Sequence, residues 1–165
     1  MRRTAYCLFA IFIIFSVSAC GAQEIQAADL NFSFQCTADI DYNGEKIVCA
    51  FNRDAPGRAS VQFLSGDLDG LTYDWSGGGF SVSYSGISAK SDDCVLPDTS
   101  FAVLLLQILD YAEKSGSLVK THGDELSGSM NGTDFTMTAD RKTGQIKTVS
   151  VLQRNLTAKF HDYTQ

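Results

Sequence analysis

Phe32-Ser33-Phe34-Gln35-Cys36-Thr37-Ala38-Asp39-Ile40 decides the fold class of this 165-residue chain. Phe32, Phe34, Cys36, Ala38 and Ile40 fall on one side of an extended backbone, and Ser33, Gln35, Thr37 and Asp39 on the other. Alternation with period two is the mark of a half-buried strand. Asp41-Tyr42-Asn43-Gly44 follows with turn chemistry, and Ile47, Cys49 and Phe51 resume the alternation. A four-residue loop would set position 40 opposite 45 and Cys36 opposite Cys49, both on the apolar face.

The same grammar continues on both sides of one helix. Ala59, Val61 and Phe63 alternate, then Leu71, Tyr73 and Trp75, then Phe80, Val82 and Tyr84 after the turn Gly77-Gly78-Gly79. Short alternating strands separated by turns predict an antiparallel sheet with one wet face. Pro97-Asp98-Thr99-Ser100 then opens the apolar run 101–109. Its length predicts a helix, with Asp98 or Thr99 as N-cap and Gly116 as terminator. Its first turns are apolar almost all round, so it must be buried on more than one side, enfolded by a curved sheet or covered by a loop. The expectation is therefore a mainly β (α+β) fold: a strongly curved antiparallel sheet or half-barrel holding one main helix on its concave side. Strands resume at 126–130 and 133–139 around Asn131-Gly132, a hairpin signal, and at 146–152 and 156–163.

The first 20 residues carry a different message. Arg2-Arg3, an apolar run from Ala5 to Phe15 and the small residues before Cys20 describe a secretory signal. The run is shorter than the roughly 20 residues that a spanning helix needs. Val17-Ser18-Ala19-Cys20 resembles a bacterial lipobox. That resemblance implies a diacylglyceryl group on Cys20 and cleavage before it. Residues 1–19 are then a lipoprotein signal peptide, 20–30 a tether and 31–165 a single β domain. Loss of the leader removes two of 13 basic residues and none of the 19 acidic ones, taking the formal net charge from −6 to −8. An acidic surface argues against nucleic acid as a partner. The membrane is reached through the lipid on Cys20, on the extracytoplasmic face of the cell membrane.

Of five cysteines, Cys36, Cys49 and Cys94 remain for the domain. Cys36 and Cys49 form either a cross-strand disulfide or a pair of buried thiols. Catalytic signatures are weak. His122 and His161 are far apart in sequence, and neither a nucleophile elbow nor a zinc motif is present. Asp39-x-Asp41-x-Asn43-Gly44 matches half a calcium loop, but Ala50 stands where its last carboxylate belongs. No metal, no cofactor and no enzymatic activity are expected.

The order of strands, helix and strands resembles the lipoprotein-carrier (LolA/LolB-like) superfamily, in which a curved half-barrel is closed by helices over an apolar cavity. Residues 32–163 are also similar to a group of lipoproteins of low-GC Gram-positive bacteria. The shared landmarks are the opening Phe-x-Phe-x-Cys-x-Ala-x-Ile-x-Tyr, Leu68-Asp69-Gly70-Leu71, Tyr84-Ser85-Gly86-Ile87, Leu96-Pro97, Gly132-x-x-Phe135-x-Met137 and Ala158-Lys159-Phe160-x-Asp162-Tyr163. The soluble carrier is not acylated, so an anchored binding role fits this chain better than shuttling. The expected activity is binding of an apolar ligand, an acyl chain or a lipidated protein, between sheet and helix. Phe63, Trp75, Phe80, Tyr84, Leu104, Leu105 and Ile108 are the candidate lining. The alternative is a structural or protein-interaction lipoprotein with a filled core and no small ligand.

Overall fold

A computed structural model describes residues 26–121 and 123–164. The signal peptide, Cys20, most of the tether and His122 lie outside the described residues. Eleven strands form one antiparallel sheet. The first six are β1 (Phe34–Tyr42), β2 (Glu45–Ala55), β3 (Arg58–Phe63), β4 (Thr72–Ser76), β5 (Phe80–Tyr84) and β6 (Ile87–Ser91). Helix α1 (Phe101–Ser115) separates them from β7 (Val119–Lys120), β8 (Glu125–Met130), β9 (Thr133–Ala139), β10 (Ile146–Val151) and β11 (Leu156–Thr164). The spatial order is β6-β5-β4-β3-β2-β1-β11-β10-β9-β8-β7. Two meanders therefore meet in the middle, where the first strand pairs with the last.

The expected strong curvature is not there. The sheet is open and not strongly curled, and neither a half-barrel nor a carrier-like closure describes it. Its free edges, β6 and β7, stand at opposite ends of the strand order. Of the two covers that the apolar helix implies, the strongly curved sheet is the one that fails. Phe101 to Leu106, Ile108, Leu109 and Ala112 are indeed buried. Cover comes from long side chains rather than from a curled backbone. Phe34, Phe51 and Phe63 belong to the same core as the helix, and so do Leu30 and Phe32 of the N-terminal segment. Tyr42 donates a hydrogen bond to the carbonyl of Thr99, just ahead of the helix. Ser100, rather than Asp98 or Thr99, occupies the N-cap, and Gly116 closes the helix in the left-handed conformation.

The first hairpin differs from its expected register. Asn43 and Gly44 both have positive φ (53° and 86°), so the loop is the two-residue kind that matches strand twist. Tyr42 pairs with Glu45, Cys36 with Phe51 and Ala38 with Cys49. A shift of two residues leaves every side chain on its expected face, so the hydrophobic pattern could not detect it. Cys36 and Cys49 become diagonal neighbours on the inner face. Both are buried free thiols.

Part of the tether is docked. Residues Ala27–Asp29 form a 3-10 turn, and Leu30 and Phe32 are buried. Asn31 bridges Gln145 and donates its N–H to the carbonyl of Gly144. A Cβ on Gly144 would lie 2.0 Å from the carbonyl oxygen of Asp29, so this contact requires glycine.

Candidate functional site

The inner face of the sheet is built in rows that antiparallel register fixes. Ala59, Trp75, Phe80 and Ser91 form one row, and Val61, Tyr73, Val82 and Ala89 the next. Tyr84 and Ile87 pair at the end of β5 and β6. Burial falls away along these rows. Val61 is sealed and Phe80 is 4% exposed, Tyr73, Trp75 and Val82 are half-buried, and Tyr84 and Ile87 are 41% and 76% exposed. The rings touch one another. Phe63 packs edge-on against Tyr73 (centroids 5.6 Å apart) and Phe101 (5.9 Å), and Trp75 lies 5.1 Å from Phe80. Burial pushes the Tyr73 hydroxyl pKa up. The result is an aromatic shelf that starts in the core and emerges at β4–β6.

The shelf ends at the exposed pair Tyr84 and Ile87. The Tyr84 hydroxyl donates to the carbonyl of Asp67 (3.2 Å), tying the β5–β6 turn to the β3–β4 loop. That loop exposes Leu64 and Leu68, at 43% and 47%.

The expected ligand-lining residues thus divide into two groups. Phe63, Trp75, Phe80 and Tyr84 belong to the shelf. Leu104, Leu105 and Ile108 do not, because they are 5%, 0% and 0% exposed within the core. Helix and shelf meet through Phe101 alone among the ring contacts described. Sequence reasoning missed strand β6, which sits in a Ser/Gly-biased stretch. The signal was the Ser85-Gly86 turn followed by Ile87 and Ala89 at alternate positions.

It also missed Arg53. Alternation from Cys49 and Phe51 places this residue on the inner face, where its side chain is fully buried. It donates to Asp110 (2.7 Å) and Glu113 (2.6 Å) of α1 and to the carbonyl of Phe32 (2.5 Å). Asp110 in turn accepts the N–H of Gly57 at 2.7 Å. One guanidinium thereby joins the helix, the N-terminal segment and the β2–β3 turn. Its donors are committed to protein acceptors, which is the arrangement of a structural clasp.

The ring nitrogens of His161 lie 2.8 Å from Asp162 and 3.3 Å from Asp39. Hydrogen bonding to Asp162, assisted by Asp39, raises its pKa against a small desolvation effect. A histidine held between two carboxylates favours its cationic form. Asp41 pairs with Lys46 across the first hairpin, and this contact lowers its pKa. No cluster of three metal-ligating side chains occurs among the described residues. Burial pushes the Cys36 and Cys49 thiols up to about 12, the opposite of an activated thiolate. Among the described residues, no helix is long and apolar enough to cross a membrane.

No protein-family model matches the chain, and no curated protein matches its sequence.

Proposed function

We propose that this protein is a non-enzymatic, membrane-anchored extracytoplasmic lipoprotein that acts as a protein-interaction module with a filled core. The observation that carries this reading is the contrast between Leu105, wholly buried, and the exposed pair Tyr84 and Ile87 at the end of the shelf. A packed helix–sheet interface leaves recognition to exposed side chains, of which Tyr84 and Ile87 continue the aromatic shelf. Anchoring rests on the lipobox order of Val17-Ser18-Ala19-Cys20. Two acyl chains on one residue give stable attachment.

The half-exposed rings of Tyr73 and Trp75 favour a second reading, in which the shelf holds an acyl chain. Burial there would contribute about 0.8 kcal/mol per CH₂ group. Two measurements separate the readings. Labelled fatty acid should be incorporated by the full-length protein and lost on Cys20→Ala, which should also leave the membrane fraction. Native mass spectrometry of that released variant should show the bare protein mass. A retained lipid adduct that disappears on Trp75→Ala would favour the second reading. Label that persists on Cys20→Ala would overturn the anchoring itself.

A further inference from the structure

The segment ahead of β1 is tied down as a strap. Leu30 and Phe32 are buried, and the carbonyl of Phe32 accepts a hydrogen bond from Arg53. The Asn31 N–H bonds the carbonyl of Gly144 at 2.9 Å. Gln26 and Ala27 lie beside Glu113 to Gly116 at the end of α1. The strap therefore crosses one end of the domain, together with the last turn of α1 and the turn 140–144. Phe34, paired with Arg53, begins β1 at this end, and Asn43-Gly44 turns the chain at the other.

Docking of the strap shortens the link to the anchor. From Cys20 to Gln26 the chain spans about 22 Å at most, whereas with the strap undone it would span about 50 Å to Phe34. The nine residues of β1 extend about 30 Å. A link shorter than the domain forbids inversion, because the strap end cannot stand off far enough for the Asn43-Gly44 end to meet the bilayer head-on. Charge then selects between lying flat and standing upright. The carboxylates on the last turns of α1 and on the turn 140–144 are already paired, Asp110 and Glu113 with Arg53 and Asp140 with Lys147. Lys114 and Lys142 on the same two elements are exposed and enter no ion pair among the described residues.

We propose that this end of the domain rests on the phospholipid surface, with the Lys114 and Lys142 ammonium groups against anionic lipid phosphates and the Asn43-Gly44 turn directed away from the bilayer. This rests on the anchoring at Cys20 proposed above and adds the orientation in which the domain is presented. A bilayer is the occupant because the link holds the strap end within reach of one. Each lysine at an anionic surface favours contact about fivefold. That is enough to orient a protein already anchored and too little to bind it alone.

The test uses the acylated protein in vesicles of phosphatidylcholine and phosphatidylglycerol that contain a lipid with a nitroxide on its headgroup. A fluorophore is attached through Ser115→Cys or Glu45→Cys, with Cys94→Ser removing the exposed native thiol. Nitroxides quench only nearby fluorophores, so quenching should be severalfold stronger at position 115 than at position 45. Lys114→Glu with Lys142→Glu should lower the quenching at 115 severalfold, by about fivefold per lysine at most, while the protein stays with the vesicles. Vesicles of phosphatidylcholine alone should do the same. Asn31→Pro removes the N–H that holds the strap and should also lower it. If that variant reduces the melting temperature, a Gly/Ser insertion after Ala22 lengthens the link without touching the strap. Equal quenching at the two positions would overturn the proposal, and so would quenching at 115 that survives both the charge reversal and the longer link. An unquenched fluorophore at 115 in protein that still sediments with the vesicles would overturn the orientation and leave the anchor standing. Protein that takes up no fatty-acid label would fail at the anchor itself.

Discussion

The centre of the sheet and its β4–β6 wing are made of the same kinds of residues and have opposite fates. In β1, β2 and β11 the inward side chains (Ile40, Phe51 and Phe160 among them) meet α1 and disappear from solvent. In β4–β6 the inward side chains include Tyr73, Trp75, Tyr84 and Ile87, and no helix lies on the outer part of that row. Alternation produces an apolar face in both places. Only the span of one 15-residue helix determines which part of that face is core. The wing covers the core at Tyr73, Trp75 and Phe80 and carries surplus apolar surface beyond them, at Tyr84 and Ile87.

The sharpest test of this division is one substitution made in each region. Leu105→Asp places a carboxylate where none of the side chain reaches water, so the domain should not fold. Leu105→Ala should cost about 2 to 5 kcal/mol in denaturant melts. Ile87→Asp should stay within about 0.5 kcal/mol of the parent, as an exposed change does. Equal losses at Leu105 and Ile87 would erase the distinction between core and wing.

A second test targets the clasp. Arg53→Leu leaves Asp110 partly buried without its cation, and a broken buried pair costs about 3 to 5 kcal/mol. Glu113 is more than a third exposed and can turn to water, so the lower end of that range is expected. The double variant Arg53→Leu with Asp110→Asn should recover part of the loss. Absence of any recovery would mean that the clasp works by packing alone.

The thiols provide a third, through alkylation and pH. Cys94 is exposed and Cys36 and Cys49 are buried. One thiol should react in native, unreduced protein, and three should react after unfolding. Raised folded pKa values mean that folding favours the protonated thiols. Their contribution is intact below the ordinary thiol value near 9 and is lost as pH rises towards about 12. One reactive thiol after unfolding would instead reveal a Cys36–Cys49 bridge.

The smallest effect is expected at His161. Its raised pKa means that it stabilises the fold while protonated. That contribution is present below the ordinary imidazole value of 6.5 and fades as pH rises through the folded value. His161→Asn should flatten the slope of stability against pH above 6.5 by a few tenths of a kcal/mol, the scale of exposed pairs. An unchanged slope would show that Asp39 and Asp162 do not hold the charge.

Much of the fold was legible because local chemistry and tertiary outcome agree. Asn131-Gly132 makes a two-residue turn, with Met130 paired to Thr133. Gly116 ends the helix, and the inward parity of β1 to β3 is as the alternation gives it. Of the candidate site, Trp75, Phe80 and Tyr84 were identified as a group, and they share one surface. Their separation from Leu104, Leu105 and Ile108 was not legible, since apolar side chains look alike whether covered or bare. Arg53 was readable in principle, because an arginine at an inward position needs carboxylates, and Asp110 and Glu113 share one face of the helix.

The sequence by itself determined the face of the strands it identified, the antiparallel class and the place of helix α1. These depend on period and turn geometry, which act over a few residues. Tertiary structure alone decided that the sheet stays open, that β1 meets β11 and that β6 is left as an edge. Each of these is a choice between arrangements that bury the same side chains on the same face. It is made by contacts between segments a hundred or more residues apart, such as Ala38 with Phe160, which no local pattern encodes.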